Sequence, residues 1–349
     1  MTRYLLNKIV SGCFILFGVV FLIFVLFILF PSAEDITAGQ RSDEATRKAI
    51  RAEMGLDKPA YVQFGLYLKD LSPIVISKQL NPLYNGTSIS LGGDLKLMFK
   101  TPYLRTSYQS RRPVFDILSG AFLGSLVLSL VAIGIALFLG IACGILSALK
   151  PGSIADRLCL AIATLGISLP SFFAAVIIAW LFGFVLKEYT GLSMSGSLFR
   201  IDPATGEDVL ALDHIILPAF ALGIRPFSII LQLTRSNLID VLNQDYIRTA
   251  RAKGLSNFKV VWRHALRNAL NPVVTAASGW FASLLAGAFF VEYIFNWKGL
   301  GKVTIDALQQ SDLPVVMGSV LLIASIFIVV NMVVDILYVV LDPRVTLST

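Results

Sequence analysis

Six long apolar runs divide this chain, and each is long enough to cross a lipid bilayer as a helix. A hydrocarbon core about 30 Å thick requires about 20 apolar residues in an α-helix. The runs cover residues 9–30, 117–149, 158–186, 215–233, 273–295 and 315–341. Charged residues make up only 15% of the sequence, which is too little charge to cover the surface of a water-soluble protein of this size. The sequence therefore predicts an all-α membrane protein with six transmembrane helices.

The first run is predicted to be an uncleaved transmembrane helix. It holds about 22 residues and follows Arg3 and Lys8, whereas the apolar part of a cleaved signal peptide has about 7–15 residues. Its amino end is therefore expected in the cytoplasm. Six spans return the carboxyl end to the same side.

Basic residues in the connections support this orientation. Residues 235–271 hold seven Lys or Arg against two Asp, and the turn after the second span holds Lys150 and Arg157. With Arg344 in the tail, these segments fall on the same side as the amino end, as the positive-inside rule requires. The segment 31–116 is also basic, but loops longer than about 60 residues translocate regardless of charge. The net charge of +7 therefore reports topology, and no nucleic-acid partner is expected.

The same pattern defines three regions. Residues 1–30 form the cytoplasmic start and the first transmembrane helix, and residues 31–116 form an external segment. Residues 117–349 form a five-helix core with a cytoplasmic loop at 235–271. In the external segment we expect a helix over 42–54, ended by Gly55, and a second helix over 61–71. The stretch 72–112 is predicted to form loops or short strands.

Small residues recur at four-residue spacing along the second span, interrupted only by Leu128. The set is Gly120, Gly124, Ala132, Ala136, Gly140, Gly144 and Ala148. Residues four apart share one face of a helix, and small side chains allow the close backbone approach that membrane helices need. Gly279, Ser283 and Gly287 repeat the pattern in the fifth span. The pattern favours a tightly packed bundle that shifts as rigid units, although small residues are common in membrane helices generally.

Polar groups inside the spans are few and are candidates for a translocation path. They are Arg225, Glu292, Asn331 and Asp335. Such groups face the bundle interior or an aqueous route, so a hydrogen bond to a neighbouring helix is the alternative role. Prolines interrupt helical hydrogen bonding and indicate bends near the same route. They are Pro170, Pro218, Pro226 and Pro272.

The segment between the fourth and fifth spans has the pattern of two short helices. Asp245 is placed to cap a basic helix over 246–253, and Gly254 supplies its left-handed stop. A second helix begins at Ser256 or Asn257 and ends before Pro272. Its expected apolar stripe consists of Phe258, Val261, Trp262, Ala265, Leu266 and Ala269. Its basic face consists of Lys259, Arg263 and Arg267. Two interpretations remain open: contact with anionic membrane lipid, or insertion into a groove on a partner protein.

This segment resembles the EAA-type coupling loop of permeases in dipeptide and oligopeptide ABC importers. The resemblance rests on Asp245-Tyr246-Ile247-Arg248-Thr249-Ala250-Arg251-Ala252-Lys253-Gly254-Leu255, followed by His264-Ala265-Leu266-Arg267-Asn268-Ala269 and Pro272. Further stretches resemble the first permease subunit of these importers, and together they cover nearly the whole chain. They are Gly55-Leu56-Asp57-Lys58-Pro59, Leu217-Pro218, Thr234-Arg235-Ser236, Leu284-Leu285-Ala286-Gly287-Ala288, Gly299-Leu300-Gly301 and Asp306-Ala307-Leu308-Gln309.

Two features depart from the family pattern. General importers carry Glu-Ala-Ala where this chain has Arg248-Thr249-Ala250, which resembles the peptide subfamily, so no role of that Glu is carried over. The stretch from Asp94 to Arg112 is longer than in the family. It is either an outward extension that contacts a binding protein or an insertion without a functional role.

The resemblance implies a type I importer permease in the bacterial cytoplasmic membrane. Its implied partners are a second homologous permease, two cytosolic ATPases that bind ATP and Mg, an external substrate-binding protein and a peptide substrate. Residues 245–255 would dock on an ATPase, with His264, Arg267, Asn268 and Pro272 supporting the loop. A nickel, glutathione or oligosaccharide permease is the closest alternative, and an ion-coupled secondary transporter is a more distant one.

The chain itself lacks the motifs of an ATPase or a hydrolase. A phosphate-binding loop requires Gly-x4-Gly-Lys-Ser/Thr, and the nearest run, residues 296–303, lacks the first Gly and the Ser/Thr. The chain has only His214 and His264, with no His-Glu-x-x-His motif, and its three cysteines lie singly in apolar runs. We therefore expect no catalytic site, no metal site and no directly bound cofactor.

Overall fold

Helices make up most of the structure, a computed structural model that describes residues 2–29, 58–77, 84–92, 95–202 and 205–341. The helices before the loop are α1 (Thr2–Leu29), α2 (Ala60–Leu71), α3 (Val114–Leu149), α4 (Ile154–Ser168), α5 (Ser171–Trp180), α6 (Lys187–Thr190) and α7 (Asp213–Leu242). Those that follow are α8 (Asp245–Ala252), α9 (Asn257–Lys259), α10 (Leu266–Ala269), α11 (Asn271–Gly287), α12 (Phe289–Ile294), α13 (Leu300–Gln309) and α14 (Leu313–Leu341). Two π-helical segments, Leu181–Val185 and Val260–Ala265, follow α5 and α9. The strands are β1 (Ile74–Ser77), β2 (Gly86–Gly92), β3 (Leu95–Lys100), β4 (Phe199–Ile201) and β5 (Asp208–Leu210).

Within the described residues, four helices are individually long and apolar enough to cross a membrane, and two bent pairs raise the number to six if each pair is one span. The single helices are α1, α3, α7 and α14. One bent pair joins α4 to α5 with its π-helical segment, and the other joins the α9–α10 segment to α11. The predicted fold class is confirmed, because six spans result when each pair counts as one. The third and fifth spans are not the single straight helices expected over 158–186 and 273–295.

The third span breaks because of its proline. Its two halves meet at 112°. Leu169, which precedes Pro170, is extended at φ −75° and ψ 131°, as the residue before a proline prefers. The first half therefore ends at Ser168 and the second begins at Ser171. The two prolines of α7, Pro218 and Pro226, lie inside one helix that continues through both.

The fifth span also differs from its prediction. It is bent by 50° where α10 meets α11, and Pro272 occupies the first turn of α11. At the other end α11 stops at Gly287, and the expected last residues belong to the separate short helix α12. Beside Gly279 the structure leaves open space. The close packing expected at Gly279 is therefore absent among the described residues, because no neighbouring atom lies within 4 Å of a methyl group at that position.

The small ridge of α3 is used for packing against α7. A methyl group added at Gly140 would lie 2.8 Å from Ile230 Cγ2, and one at Gly144 would lie 2.5 Å from Thr234 Cβ. Both distances are below van der Waals contact, so the two backbones approach as closely as the absence of side chains allows. Gly120, at the start of the ridge, has nothing within 4 Å of such a methyl. The predicted ridge is thus confirmed at Gly140 and Gly144.

The segment between the first two spans carries a helix and a small sheet. Helix α2 confirms the helix expected over 61–71, and the sheet has strand order β1-β3-β2 with antiparallel pairing. Val75 and Ser88 both pair with Met98 in the central strand. Phe64 of α2 packs on Phe24 of α1 with ring centroids 5.0 Å apart. The helix expected over 42–54, with its stop at Gly55, lies outside the described residues.

The chain divides into two compact units, and the loop between α7 and α11 belongs to one of them. That unit contains Phe122–Lys302, and its core surrounds α7, which packs against α4, α5 and α11. The other unit contains Ile9–Ala121 and Val303–Ala324. Within it, Asp312 accepts a hydrogen bond from the Tyr108 backbone N–H at 3.0 Å.

We expect Gly144→Ala to lower the thermal midpoint of the purified protein in detergent. The new methyl would meet Thr234 Cβ at 2.5 Å and the Leu231 carbonyl oxygen at 2.9 Å, so α3 and α7 must separate. Overpacking of this kind costs about 1–3 kcal/mol. Gly134→Ala is the matched control, because Gly134 lies on the same helix with open space beside it. Equal melting of the two variants would contradict the close α3–α7 contact.

Candidate functional site

The loop between α7 and α11 begins with a short helix that is followed by a left-handed turn. Helix α8 spans Asp245–Ala252, one residue earlier than the predicted helix. Gly254 has φ +79°, a conformation that side chains disfavour. Its N–H donates to the Arg251 carbonyl at 2.9 Å. The predicted glycine stop is confirmed.

The predicted cap at Asp245 is wrong. Gln244 occupies the cap position with φ −75° and ψ 152°, and its side chain makes no capping hydrogen bond. Asp245 is the first helical residue, where its negative charge suits the positive end of the helix dipole. Its carboxylate lies 3.5 Å from Arg248 Nη1 in an exposed pair. Such a pair contributes little to stability.

The second half of the loop departs from its predicted apolar stripe. Val261, Ala265, Leu266 and Ala269 are buried, but Phe258 is 71% exposed and Trp262 is 53% exposed. A π-helical segment at Val260–Ala265 is the reason, because its wider turn holds an extra residue and rotates the buried face. Val260 is buried instead, and the Phe258 and Trp262 rings lie 5.9 Å apart on the outside.

An apolar contact fixes α8 to the spans. Ile247 is fully buried and Ala250 is nearly so, and both join a cluster with Ile145 of α3 and Leu238 of α7. The same cluster holds buried residues of the second half of the loop. Asn268 Nδ2 also donates to the Tyr246 hydroxyl at 2.8 Å. The two halves of the loop therefore form one packed body on the ends of α3 and α7.

The remaining predicted loop residues lie on the outer side or at its edge. Exposed positions are Asp245, Tyr246, Arg248, Thr249, Arg251, Ala252, Lys253, Gly254, Arg267, Asn268 and Pro272. Leu255 and His264 are half-buried. The structure thus separates an inner apolar face of α8 from an outer face that carries three cations. That outer face is available to a partner.

A buried ion pair beneath the loop was missed by the sequence analysis. Arg235 donates from Nε to Asp156 Oδ1 at 2.7 Å and from Nη2 to Oδ2 at 2.8 Å. The Gly152 N–H donates to the same carboxylate at 2.7 Å, and the Ser147 hydroxyl is its fourth donor. The end of α3, the start of α4 and the last third of α7 are thereby joined at one carboxylate.

One signal in the sequence points to this carboxylate. Ser153 caps α4, and its hydroxyl accepts from the Asp156 N–H at 3.2 Å. Serine followed three residues later by an acidic residue is the pattern of a helix start. The pattern locates Asp156 in the first turn of a helix, but nothing in it indicates Arg235, which follows 79 residues later.

Glu292, a candidate residue of the translocation path, is fully buried and accepts several hydrogen bonds. Its carboxylate accepts from Ser125 Oγ at 2.6 Å, from the Gly301 N–H at 2.7 Å and from the Lys302 N–H at 3.2 Å. Gly299 lies so close that an added methyl would fall 2.3 Å from Glu292 Oε2. These contacts support a structural role, in which Glu292 joins α12 to α3 and to the start of α13.

The other three candidate path residues lie on two further helices. Asp335 of α14 forms an ion pair with Lys8 of α1, with Oδ2 2.6 Å from Nζ. Asn331 Nδ2 donates to the Phe327 carbonyl of its own helix at 2.8 Å. Arg225 of α7 is exposed. The structure therefore distributes the four candidates over α7, α12 and α14.

Comparison with known proteins decides the family. A profile described as "Binding-protein-dependent transport system inner membrane component" matches residues 140–347, and the corresponding amino-terminal profile matches residues 1–131. The chain belongs to this family of permeases. It is a multi-pass inner membrane protein and the membrane component of a transport system.

Several curated relatives are permeases named for peptides. The dipeptide transport permease DppB of Escherichia coli strain K12 is 39% identical over 328 residues, which cover 89% of this permease and 88% of that one. The di/tripeptide permease DppB of Pseudomonas aeruginosa is 36% identical and covers 94% of each chain. The glutathione permease GsiC of E. coli strain K12 is 33% identical and covers 99% of each. The predicted resemblance to peptide-importer permeases is confirmed.

A solved structure supports the fold. The permease matches a chain of the inward-facing methionine ABC transporter MetNI with a TM-score of 0.51 and 18% sequence identity. The match covers 65% of this permease and 97% of that chain. At this identity the likeness concerns the fold, which is that of a type I ABC importer permease.

We expect Asp156→Asn to destabilise the folded permease by on the order of 3–5 kcal/mol, because it leaves the Arg235 guanidinium without its charged partner. Asp245→Asn, which removes a carboxylate from an exposed pair with Arg248, is expected to cost about 0.5 kcal/mol or less. Thermal unfolding in detergent measures both. Combining Asp156→Asn with Arg235→Gln should cost less than the sum of the single changes.

Equal effects of Asp156→Asn and Asp245→Asn would contradict a special role for the buried pair. Additive costs in the double variant would show that the two side chains act independently.

Proposed function

We propose that this permease forms one half of the membrane channel of an ATP-driven importer of dipeptides and oligopeptides. The proposal rests on the loop of residues 245–255, whose outer face is free while its inner face is packed on the spans. Relatives that are 32–39% identical are named for dipeptides. A second homologous permease would complete the channel, and both termini of this chain would lie in the cytoplasm.

The loop is built to transmit force. Ile247 joins α8 to α3 and α7, and the Asp156–Arg235 pair joins α3, α4 and α7 just beyond it. A partner that moves α8 therefore moves the ends of three helices together. We assign that partner as one of two cytosolic ATPases, which bind ATP and Mg between them. ATP can shift the spans only if it binds the two conformations of the complex with different affinity.

The exposed chemistry of the loop suits a protein groove. Arg248, Arg251 and Lys253 are exposed on and just after α8, and the rings of Phe258 and Trp262 are exposed on the second half of the loop. Aromatic rings and arginines are the side chains enriched at protein interfaces. The same groups would also suit anionic lipid. The two interpretations differ in whether ATP hydrolysis depends on them.

Glutathione is the second candidate substrate. The GsiC permeases align over 99% of this chain at 33–34% identity, which equals the coverage of the dipeptide permease of Alkalihalophilus pseudofirmus at 32% identity. Glutathione shares with a peptide the amide backbone and a terminal carboxylate. An external binding protein would deliver either substrate to the channel.

The function is tested by uptake into vesicles that contain the complete transporter and its binding protein. Uptake of a labelled dipeptide is expected to require ATP and both ATPases, and an excess of unlabelled dipeptide should abolish it. Competition by glutathione instead of dipeptide would select the second candidate. Uptake driven by an ion gradient without ATPases would contradict the proposal.

Arg251→Glu is expected to lower ATP-dependent uptake about tenfold or more while leaving membrane insertion and the thermal midpoint unchanged. The reversal places a negative charge on the outer face of α8, where charge mismatch opposes docking. Gly254→Pro should act in the same direction, since proline cannot adopt φ +79°. Uptake and ATP hydrolysis are measured in the same vesicles.

Arg157→Glu is the control for charge, because Arg157 is an exposed cation on the same predicted side but outside the loop. Unchanged uptake in Arg251→Glu, or an equal loss in Arg157→Glu, would count against docking through α8.

A further inference from the structure

One face of α7 is open while its other sides are packed. Helix α3 covers one side through Gly140 and Gly144, which approach Ile230 and Thr234. Helix α4 covers the adjacent side, where a methyl at Gly166 would lie 2.2 Å from Ser228 Oγ. Arg225 and Ser236 are exposed and Gln232 is half-buried.

The three polar residues lie along one line of the helix. At 100° per residue, Gln232 and Ser236 fall within about 20° of Arg225, whereas Thr234 falls about 180° away. The open polar face of α7 therefore points away from α3. Half-buried Ile229 and Ile239 lie about 40° to either side of this line. In a helix that is long and apolar enough to cross a membrane, three polar residues aligned on the uncovered face indicate contact with water or with a polar partner.

This polar line ends at Arg225. On the same face but nearer the start of α7, Pro218, Ala221 and Leu222 are all buried. They lie within about 60° of Arg225 around the helix. The open face thus runs from the loop end of α7 to about its middle and stops there, with Arg225 at the closed end.

The charge of Arg225 is not paired within the part of the chain that the structure describes. Among the described residues none forms a hydrogen bond or ion pair with its side chain. Asp240, the next acidic residue along the exposed face, lies about 60° around the helix and about 22 Å along it. Arg225 itself lies within about 4 Å of the midpoint of the helix. A guanidinium at that depth is costly unless it meets water or an anion.

We propose that Arg225 binds the terminal carboxylate of the transported peptide at the closed end of this polar face. This inference rests on the proposed function and names the group of the substrate that the channel recognises. The planar fork of a guanidinium matches a carboxylate with two parallel hydrogen bonds. Gln232 offers both a donor and an acceptor to the peptide backbone.

Recognition of the carboxylate explains how one route accepts many peptides. Every linear peptide with a free C-terminus has one terminal carboxylate whatever its side chains are. Binding of this group by an arginine therefore does not depend on the peptide sequence. The polar line of Arg225, Gln232 and Ser236 contains no acidic residue, so the line itself does not supply the acceptor of this contact. A second permease with a facing acidic residue is the competing partner.

The test compares a dipeptide with its C-terminal amide in vesicles that hold the complete transporter. Arg225→Gln is expected to lower uptake of the free-acid dipeptide below saturation by about 10- to 100-fold, the loss of a charged hydrogen-bonded pair. Uptake of the amide should stay near its wild-type rate, and Arg225→Lys should retain part of the preference. Arg200→Gln, which removes an exposed arginine of β4, should leave both rates unchanged.

Two results would overturn the proposal, and a third would refute the proposed function on which it rests. An equal loss for acid and amide would assign Arg225 to a contact with the second permease, and unchanged rates would remove it from the route. A wild-type transporter that moves no peptide at all would instead refute the proposed function. The two failures are therefore distinguishable.

A second measurement does not depend on delivery by the binding protein. Gln232→Cys, which keeps Arg225, is made in a variant without Cys13, Cys143 and Cys159 and is treated with a charged, water-soluble thiol reagent in the purified permease–ATPase complex. We expect labelling that dipeptide slows and its amide does not, because only the free carboxylate pairs with Arg225. Ile230→Cys, on the packed side of α7, is the control and should not label. Absence of labelling at position 232, or equal protection by both peptides, would contradict the proposal.

Discussion

A single buried carboxylate holds the functional end of this permease together. Asp156 receives two hydrogen bonds from Arg235, one from the Gly152 backbone and one from Ser147. A carboxylate removed from water is stable only when such donors replace its hydration. Because these donors come from α3, the α3–α4 turn and α7, those elements keep a fixed arrangement. The loop packs on α3 and α7, so this ion pair also holds in place the helices that support the loop.

Two arginines of α7 illustrate opposite uses of the same side chain. Arg235 points toward α4 and its charge is neutralised within the chain, whereas Arg225, ten residues earlier, is exposed and has no partner among the described residues. The first arginine fixes helices to one another. The second leaves a positive charge on the open face, which we assign to the substrate. Position around the helix, set by where α3 and α4 pack, determines which role each arginine has.

The sequence predicts features that depend on local periodicity. The spans, the glycine turn at Gly254 and the packing ridge at Gly140 and Gly144 follow from apolar length, turn chemistry and four-residue spacing. The sequence indicates a bend at Pro170 but not its angle of 112°, because a proline permits a bend while tertiary contacts set the angle. The π-helical segment that exposes Trp262 and the distant pairing of Asp156 with Arg235 also depend on packing that no local pattern encodes.

The central claim is that the outer face of α8 meets a cytosolic ATPase. A photoreactive amino acid in place of Thr249, an exposed residue on that face, tests it in membranes that contain the whole transporter. The account predicts a covalent adduct with the ATPase subunit, and no such adduct from the same group in place of Tyr189, which is 87% exposed on α6. An adduct with lipid alone at position 249, or an ATPase adduct at position 189, would contradict it.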